Sequence, residues 1–271
     1  MPKSKCGACT MIENRNPSMK AVAVLIPGIF LSFSFDIVTP LIYLLYILAI
    51  TFFLANIPLK RWLLIFMPLS LFAISLAWMT MLYTDESYAT GDVVFTFLWF
   101  EITTGSAEVG ISLALRSLCF IALSLLFVFT TNPTNFMLSL MQQCKLSPKL
   151  TYGILAGYRF LPTLQHEFEL LKQAHRIRGI SRAEGWKNRI QNMKQYAIPL
   201  LANSIRKAER VAIAMESKGF TGERERTYYH QMKINRNDWI FLFGMISALI
   251  VAYYTSYELG YLNIFGNEVG R

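Results

Sequence analysis

Apolar residues in this chain come in blocks too long for the core of a water-soluble domain. They run over residues 21–38, 41–57, 62–83, 111–131 and 239–257. Each block approaches the ~20 residues a helix needs to cross about 30 Å of hydrocarbon. The breaks between them are a tight turn at Thr39-Pro40, a short basic loop at 58–61, an acidic loop at 84–110 and a long polar stretch at 132–238. The pattern predicts an all-α polytopic membrane protein with about five transmembrane helices. Three regions follow: 1–131 with four spans, 132–238 as a long polar helical region, and 239–271 as the last span and its tail. Pro27-Gly28 and Pro68 fall inside spans, where neighbouring helices can satisfy the freed carbonyls. Within the acidic loop, residues 93–102 are apolar and aromatic but too short to cross. Trp and Phe favour the membrane interface, so this piece reads as interfacial, with a re-entrant segment as the other reading.

The polar region carries helical signals of its own. Asn132 or Thr134 can cap a short helix reaching Gln142. Ser147-Pro148 opens another, with proline in the first turn, through the small residues Gly153, Ala156 and Gly157 to Arg159 and Pro162. The helix continues over 163–178, with Leu164, Phe168, Leu171, Ala174 and Ile177 recurring at three- and four-residue steps. A second long helix is expected over 187–218, with an apolar stripe that includes Ile190, Met193, Ala197, Ala208 and Met215. Pro199 should kink it or split it in two. A basic residue followed by glycine closes each helix: Arg178-Gly179 and Lys218-Gly219. Taken alone, each is ordinary capping, a cation being favoured at a helix C-terminus.

Charge settles orientation. The chain has 271 residues, 54% of them hydrophobic and 16% charged, with a net charge of +9. All but two of the 26 Lys and Arg lie in 1–20, 58–61 and 132–238; the exceptions are Arg116 and Arg271. The positive-inside rule places those segments, and so the N-terminus, in the cytoplasm, with the C-terminus outside. The basic excess is therefore a topology signal, and nucleic acid is not an expected partner; the lipid bilayer is. No cleavable signal peptide is expected, since residues 1–20 are polar. Cys6 and Cys9 form a CxxC, half of a tetrahedral zinc site with no second pair, and read as reduced thiols on a tail. Arg116 reads as snorkelling or meeting the acidic loop, and Asp36 as sitting at the outer interface. His166, His175 and His230 form no metal or catalytic arrangement and read as helix-face residues. GFTGERER (219–226) lacks the Gly-Lys-Ser/Thr ending of a nucleotide loop, so no cofactor is expected to bind directly.

Longer motifs carry a resemblance. AHRIRG (174–179) and AMESKGF (214–220) resemble the paired Ala-Arg-Gly-type motifs of the transmembrane T component of energy-coupling-factor transporters. NPSMK (16–20), ALRSL (114–118) and the stretch 131–162 ending in YRFLP are similar to that family as well, in the same order. The resemblance implies a non-catalytic scaffold of the bacterial cell membrane. In that family two cytoplasmic coupling helices dock into two cytosolic ATPase subunits, which bind the ATP. A separate membrane-embedded S component captures a vitamin, a vitamin precursor or a metal ion such as cobalt or nickel. Carried over by position, Arg176, Arg178, Gly179, Glu216, Lys218 and Gly219 would contact the ATPases. Arg159, Pro162, Ala174, Pro199 and Ala214 would shape the coupling helices. Two departures stand out: Ile177 and Ser217 replace the usual Ala, and Lys218 replaces Arg, losing the planar fork. Arg178 should therefore matter more for assembly than Lys218. The rival class is a membrane enzyme acting on phosphorylated lipid or isoprenoid substrates, which would need the cytoplasmic acids as metal ligands; these are scattered on helix faces. A third reading is a signalling anchor for anionic lipid.

Overall fold

A computed structural model describes residues 15–53, 57, 59–83, 93–97, 100–178, 186–223 and 227–260. Cys6, Cys9, Gly179 and most of the acidic-loop carboxylates lie outside the described residues. The chain divides into two units, Met1–Ser139 with Met232–Arg271, and Leu140–Gln231.

The first unit holds the apolar helices. Asn16 caps α1 (Pro17–Ser32), its side chain accepting from Ser18 N at 3.1 Å, with Pro17 at the first helical position. The helix therefore begins four residues before the apolar run, because capping and not hydropathy starts it. α2 (Val38–Phe53) follows a turn at 33–37, earlier than the expected Thr39-Pro40. Pro40 sits in the first turn of α2, where its missing N–H leaves no hydrogen bond unmade. α3 spans Leu59–Leu82, α4 Thr104–Thr130 and α8 Arg236–Glu258. These three are long and apolar enough to cross a membrane; α1 and α2, at 16 residues each, are shorter apolar helices.

The expected loop at 84–110 is corrected at both of its described parts. α4 starts at Thr104, not Ile111, because Thr103 and Ser106 form a reciprocal capping box. Thr103 N donates to Ser106 Oγ at 3.0 Å, and Ser106 N to Thr103 Oγ1 at 3.4 Å. Ahead of it, β1 (Val93–Phe97) and β2 (Phe100–Thr103) pair antiparallel, with Phe95 opposite Ile102. The β-branched and aromatic residues that suggested the membrane interface also favour strands. This hairpin is a small addition to a helical membrane protein.

The core is shared by α1, α2, α4 and α8. Cys119, Ala122, Leu123 and Leu126 of α4 are buried with Leu242, Met245, Leu249 and Ala252 of α8, at three- and four-residue spacing. Tyr43 and Ile47 of α2 and Ala23 and Leu31 of α1 complete it. α3 stands at the edge and buries only Trp62, Ala73 and Ala77. Gly110 lets it approach α4: a Cβ there would lie 2.5 Å from Met81 Cγ and 3.1 Å from the Ala77 carbonyl oxygen. The remaining faces are rows of exposed Leu, Ile, Phe and Met, a surface suited to lipid.

Both charges near the 33–37 turn are structural. Asp36 is buried and accepts from the hydroxyls of Ser34 and Thr39, from Thr39 N at 3.0 Å and from Ser256 Oγ at 2.5 Å. Arg116 donates to the carbonyls of Ser32 and Ser34, with its guanidinium 4.7 Å from the centre of the Phe35 ring. Of the two expectations for Arg116, snorkelling or meeting the acidic loop, the second is not met by the described bonds, which go to Ser32 and Ser34. The turn's freed carbonyls are the acceptors Arg116 uses.

The second unit contains two long helices. α5 (Pro133–Gln143) runs into it, started by Asn132, which accepts from Thr134 N at 3.0 Å. Lys145, at φ 54, turns the chain toward α6 (Pro148–Ile177). α7 is Trp186–Ser217. At 30 and 32 residues these helices are about 45 and 48 Å long. Pro162 and Pro199 both lie inside unbroken helices, so Pro199 does not split α7.

Candidate functional site: two capped cations on one helical hairpin

α6 and α7 pack antiparallel, and the partners along the seam show it. Tyr152 of α6 meets Phe220 beyond the end of α7, ring centroids 5.4 Å apart. Further along, Lys207 pairs with Glu167 and lies 5.6 Å from the Phe160 ring. At the far end Tyr196 takes Phe168 at 5.8 Å and His175 at 5.0 Å. Partner numbers rise on α6 as they fall on α7, from 152 with 220 to 175 with 196. The seam contacts flank Pro162 on both sides, supporting a helix that continues through a residue costing one backbone hydrogen bond.

The hairpin carries its two cationic ends far apart. Arg178 is the C-cap of α6, with its N–H donating to the Ala174 carbonyl at 3.2 Å. Arg176, Ile177 and Arg178 are exposed, while Ala174 and His175 are half-buried toward the seam. Lys218 ends α7. Gly219 N donates to the Glu216 carbonyl at 2.9 Å, and Phe220 N to that of Met215 at 3.0 Å. Together these form a Schellman cap, which needs a left-handed residue at Gly219; its φ is +80. Phe220 then returns to Tyr152, so the cap is tied to the opposite helix. Lys218, Glu216 and Ala214 are exposed. From Tyr152, level with the α7 cap, to Arg178 is 26 residues of helix, about 39 Å at 1.5 Å per residue. The two cations therefore occupy opposite ends of the hairpin and cannot share one small ligand.

The remaining sequence candidates are placed as follows. Arg159 is exposed on α6, next to Phe160, which faces Lys207. Pro162 and Pro199 lie within their helices. Glu167, Lys207 and Tyr196 were not singled out as site residues by the sequence. Glu167 and Lys207 are 40 positions apart, and nothing local marks them as partners. The Lys-Gly-Phe order, by contrast, did signal the cap. Among the described residues no group of three or more His, Cys, Asp or Glu could hold a metal ion.

Comparison with known proteins adds the following. The family model described as cobalt transport protein, CbiQ, matches residues 9–229. The energy-coupling factor transporter transmembrane protein EcfT of Streptococcus thermophilus is 29% identical over 176 residues, covering 60% of this chain and 65% of its own. That of Exiguobacterium sibiricum is 30% identical over 178 residues, covering 63% and 65%. That of Bacillus subtilis is 28% identical over 150 residues, covering 52% and 57%. The chain thus spans just under two thirds of the first two relatives and somewhat over half of the third.

Proposed function

This chain belongs to the cobalt transport protein (CbiQ) family of energy-coupling-factor T components, and we propose on that premise that it couples cytosolic ATPases to a substrate-binding membrane subunit. The observation that carries the reading is the hairpin with one exposed, helix-terminal cation at each end. A separation of roughly 39 Å suits two docking sites on two ATPase subunits better than one pocket on a single partner. Each tip presents an exposed cation, which would suit an acidic groove.

In this reading the chain is a non-catalytic scaffold of the bacterial cell membrane, with its N-terminus and hairpin cytoplasmic and its C-terminus outside. ATP binds to the ATPase subunits. The S component, a second membrane protein, takes the vitamin, vitamin precursor or metal ion as cargo. Arg176, Arg178, Gly179, Glu216, Lys218 and Gly219 form the two docking tips.

Affinity purification of the full chain from cells expressing its neighbouring transporter genes tests this. Two ATPase subunits and one small membrane protein should co-purify. Arg178→Ala should lower the ATPase recovered by more than Lys218→Ala, because the planar guanidinium binds carboxylates in two-pronged fashion. A chain that purifies alone and releases phosphate from lipid substrates would overturn the proposal in favour of a membrane enzyme.

A further inference from the structure

Polar side chains are buried where the first unit sends the chain into α5 and takes it back before α8. Asn16, Ser18, Lys20, Ser139 and Asp238 are all 6% exposed or less. Ser18 Oγ donates to Ser139 Oγ at 2.8 Å, tying α1 to the outgoing connection in α5. Asn16 N donates to Asp238 Oδ1 at 3.1 Å, and Asn16 Nδ2 to the Lys233 carbonyl at 3.4 Å, tying the same segment to the returning connection. Lys20 Nζ donates to the Thr130 carbonyl at 2.8 Å, capping α4 just before α5 begins. Asp238 also accepts from Asn235 N at 2.8 Å, fixing the start of α8.

A second tie lies three residues further along each connection, within the other unit: Gln142 Nε2 donates to the His230 carbonyl at 2.7 Å. Each unit thus ties the outgoing to the returning connection within itself: 139 and 233 through Ser18 and Asn16 in the first, 142 and 230 directly in the second. Apolar residues of similar size would pack these helices at least as well as buried polar ones. What the polar set adds is a unique register between two connections about 94 residues apart in sequence, since each donor must meet an acceptor.

We propose that Asn16, Ser18 and Lys20 form a clasp that joins the outgoing and returning connections of the hairpin unit and stays closed while the protein works. These are positioning residues: movement of α6 and α7 would reach the apolar helices through one fixed base instead of two independent strands. The working role rests on the transport reading above; the clasp itself does not.

Two measurements test it on the full chain. In the purified protein, the double variant Asn16→Ala/Ser18→Ala, which removes the side-chain donors to Lys233 and Ser139, should raise amide exchange around 139–143 and in 232–238 together, by about tenfold. Unchanged exchange in both segments overturns the clasp whether or not the chain binds ATPases. In the complex reconstituted with its ATPase and S subunits, Asn16→Ala should lower transport per ATP hydrolysed while ATPase recovery stays constant. A disulfide between Ser18→Cys and Ser139→Cys, with Cys6, Cys9 and Cys144 replaced by serine, should preserve transport and restore it to Asn16→Ala. Transport lost on oxidation and regained on reduction would show that the clasp must open, and an unchanged transport-to-ATP ratio in Asn16→Ala would remove its role; either result overturns the proposal. A wild-type chain that recruits no ATPase would defeat the transport reading, leaving the exchange measurement to judge the clasp.

Discussion

Gly219→Ala is a sharp probe of the α7 tip because nothing but backbone geometry should resist it. A Cβ at Gly219 meets no atom within 4 Å, so the substitution introduces no clash. Its φ of +80 is the whole penalty, about 1–2 kcal/mol for a residue with a side chain. The cap it supports consists of two hydrogen bonds, at 2.9 and 3.0 Å, and one edge-on ring contact between Phe220 and Tyr152. Those bonds contribute about 0.5–1.5 kcal/mol each and the ring pair about 0.5–1.5 kcal/mol. Ordering two residues costs about 2–4 kcal/mol in backbone entropy, so the cap is closed by a narrow margin. A penalty of 1–2 kcal/mol should then open it and reduce the population of correctly placed Lys218 by roughly 5- to 30-fold. The assay is titration of purified chain with the ATPase subunits, and the apparent affinity should fall by that factor. Asn tolerates the left-handed region better, so Gly219→Asn should lose far less. If Gly219→Ala bound ATPases as tightly as wild type, or if Asn and Ala were equally impaired, the claim that the cap aims Lys218 would be wrong.

Three further experiments probe the rest of the frame. Glu167→Gln and Lys207→Met should each lower the thermal transition of the detergent-solubilised chain. Their double mutant should show a coupling of about 0.5–1 kcal/mol, since Lys207 is one-third exposed and solvent weakens the pair; zero coupling would remove it as a seam contact. Gly110→Leu should separate α3 from α4 and lower stability by about 1–3 kcal/mol through overpacking against the Ala77 carbonyl, read as a lower transition temperature. Asp36→Leu leaves the Ser34, Thr39 and Ser256 hydroxyls without their shared acceptor and should cost more than Arg116→Met, whose carbonyl partners Ser32 and Ser34 belong to one turn. Equal transition temperatures for the two variants would contradict that ranking.

Local signals were read well where they act over a few residues. Asn132 was one of two expected caps for α5 and is the residue that makes the bond; the proline at 148 opens α6; Gly219 closes α7. Hydropathy located the middles of all five apolar helices and the C-terminal ends of α3, α4 and α8 to within one residue, but not the starts of α1 and α4 or the ends of α1 and α2. The starts of α1, α4 and α2 follow the Asn16 cap, the Thr103–Ser106 box and the Asp36 turn, each set by side-chain oxygens and not by apolar content. Pro199 was expected to kink α7 or split it in two; the helix is not split, and Tyr196 and Lys207 contact α6 on either side of it.

By itself, the sequence determined the class of molecule: apolar blocks of membrane length, a basic polar region between the last two, and two long helices each finished by a cation and a glycine. These properties depend on composition, periodicity and neighbours within one or two turns, which a linear reading contains. The tertiary structure alone decided which distant residues meet. It sets α6 and α7 antiparallel, placing Arg178 and Lys218 at opposite ends. It buries Asp36 against Ser256, and it closes Asn16 and Ser18 onto both connections of the hairpin unit. Such pairings come from packing and from the need of buried polar groups for partners. Sequence separation carries no record of them.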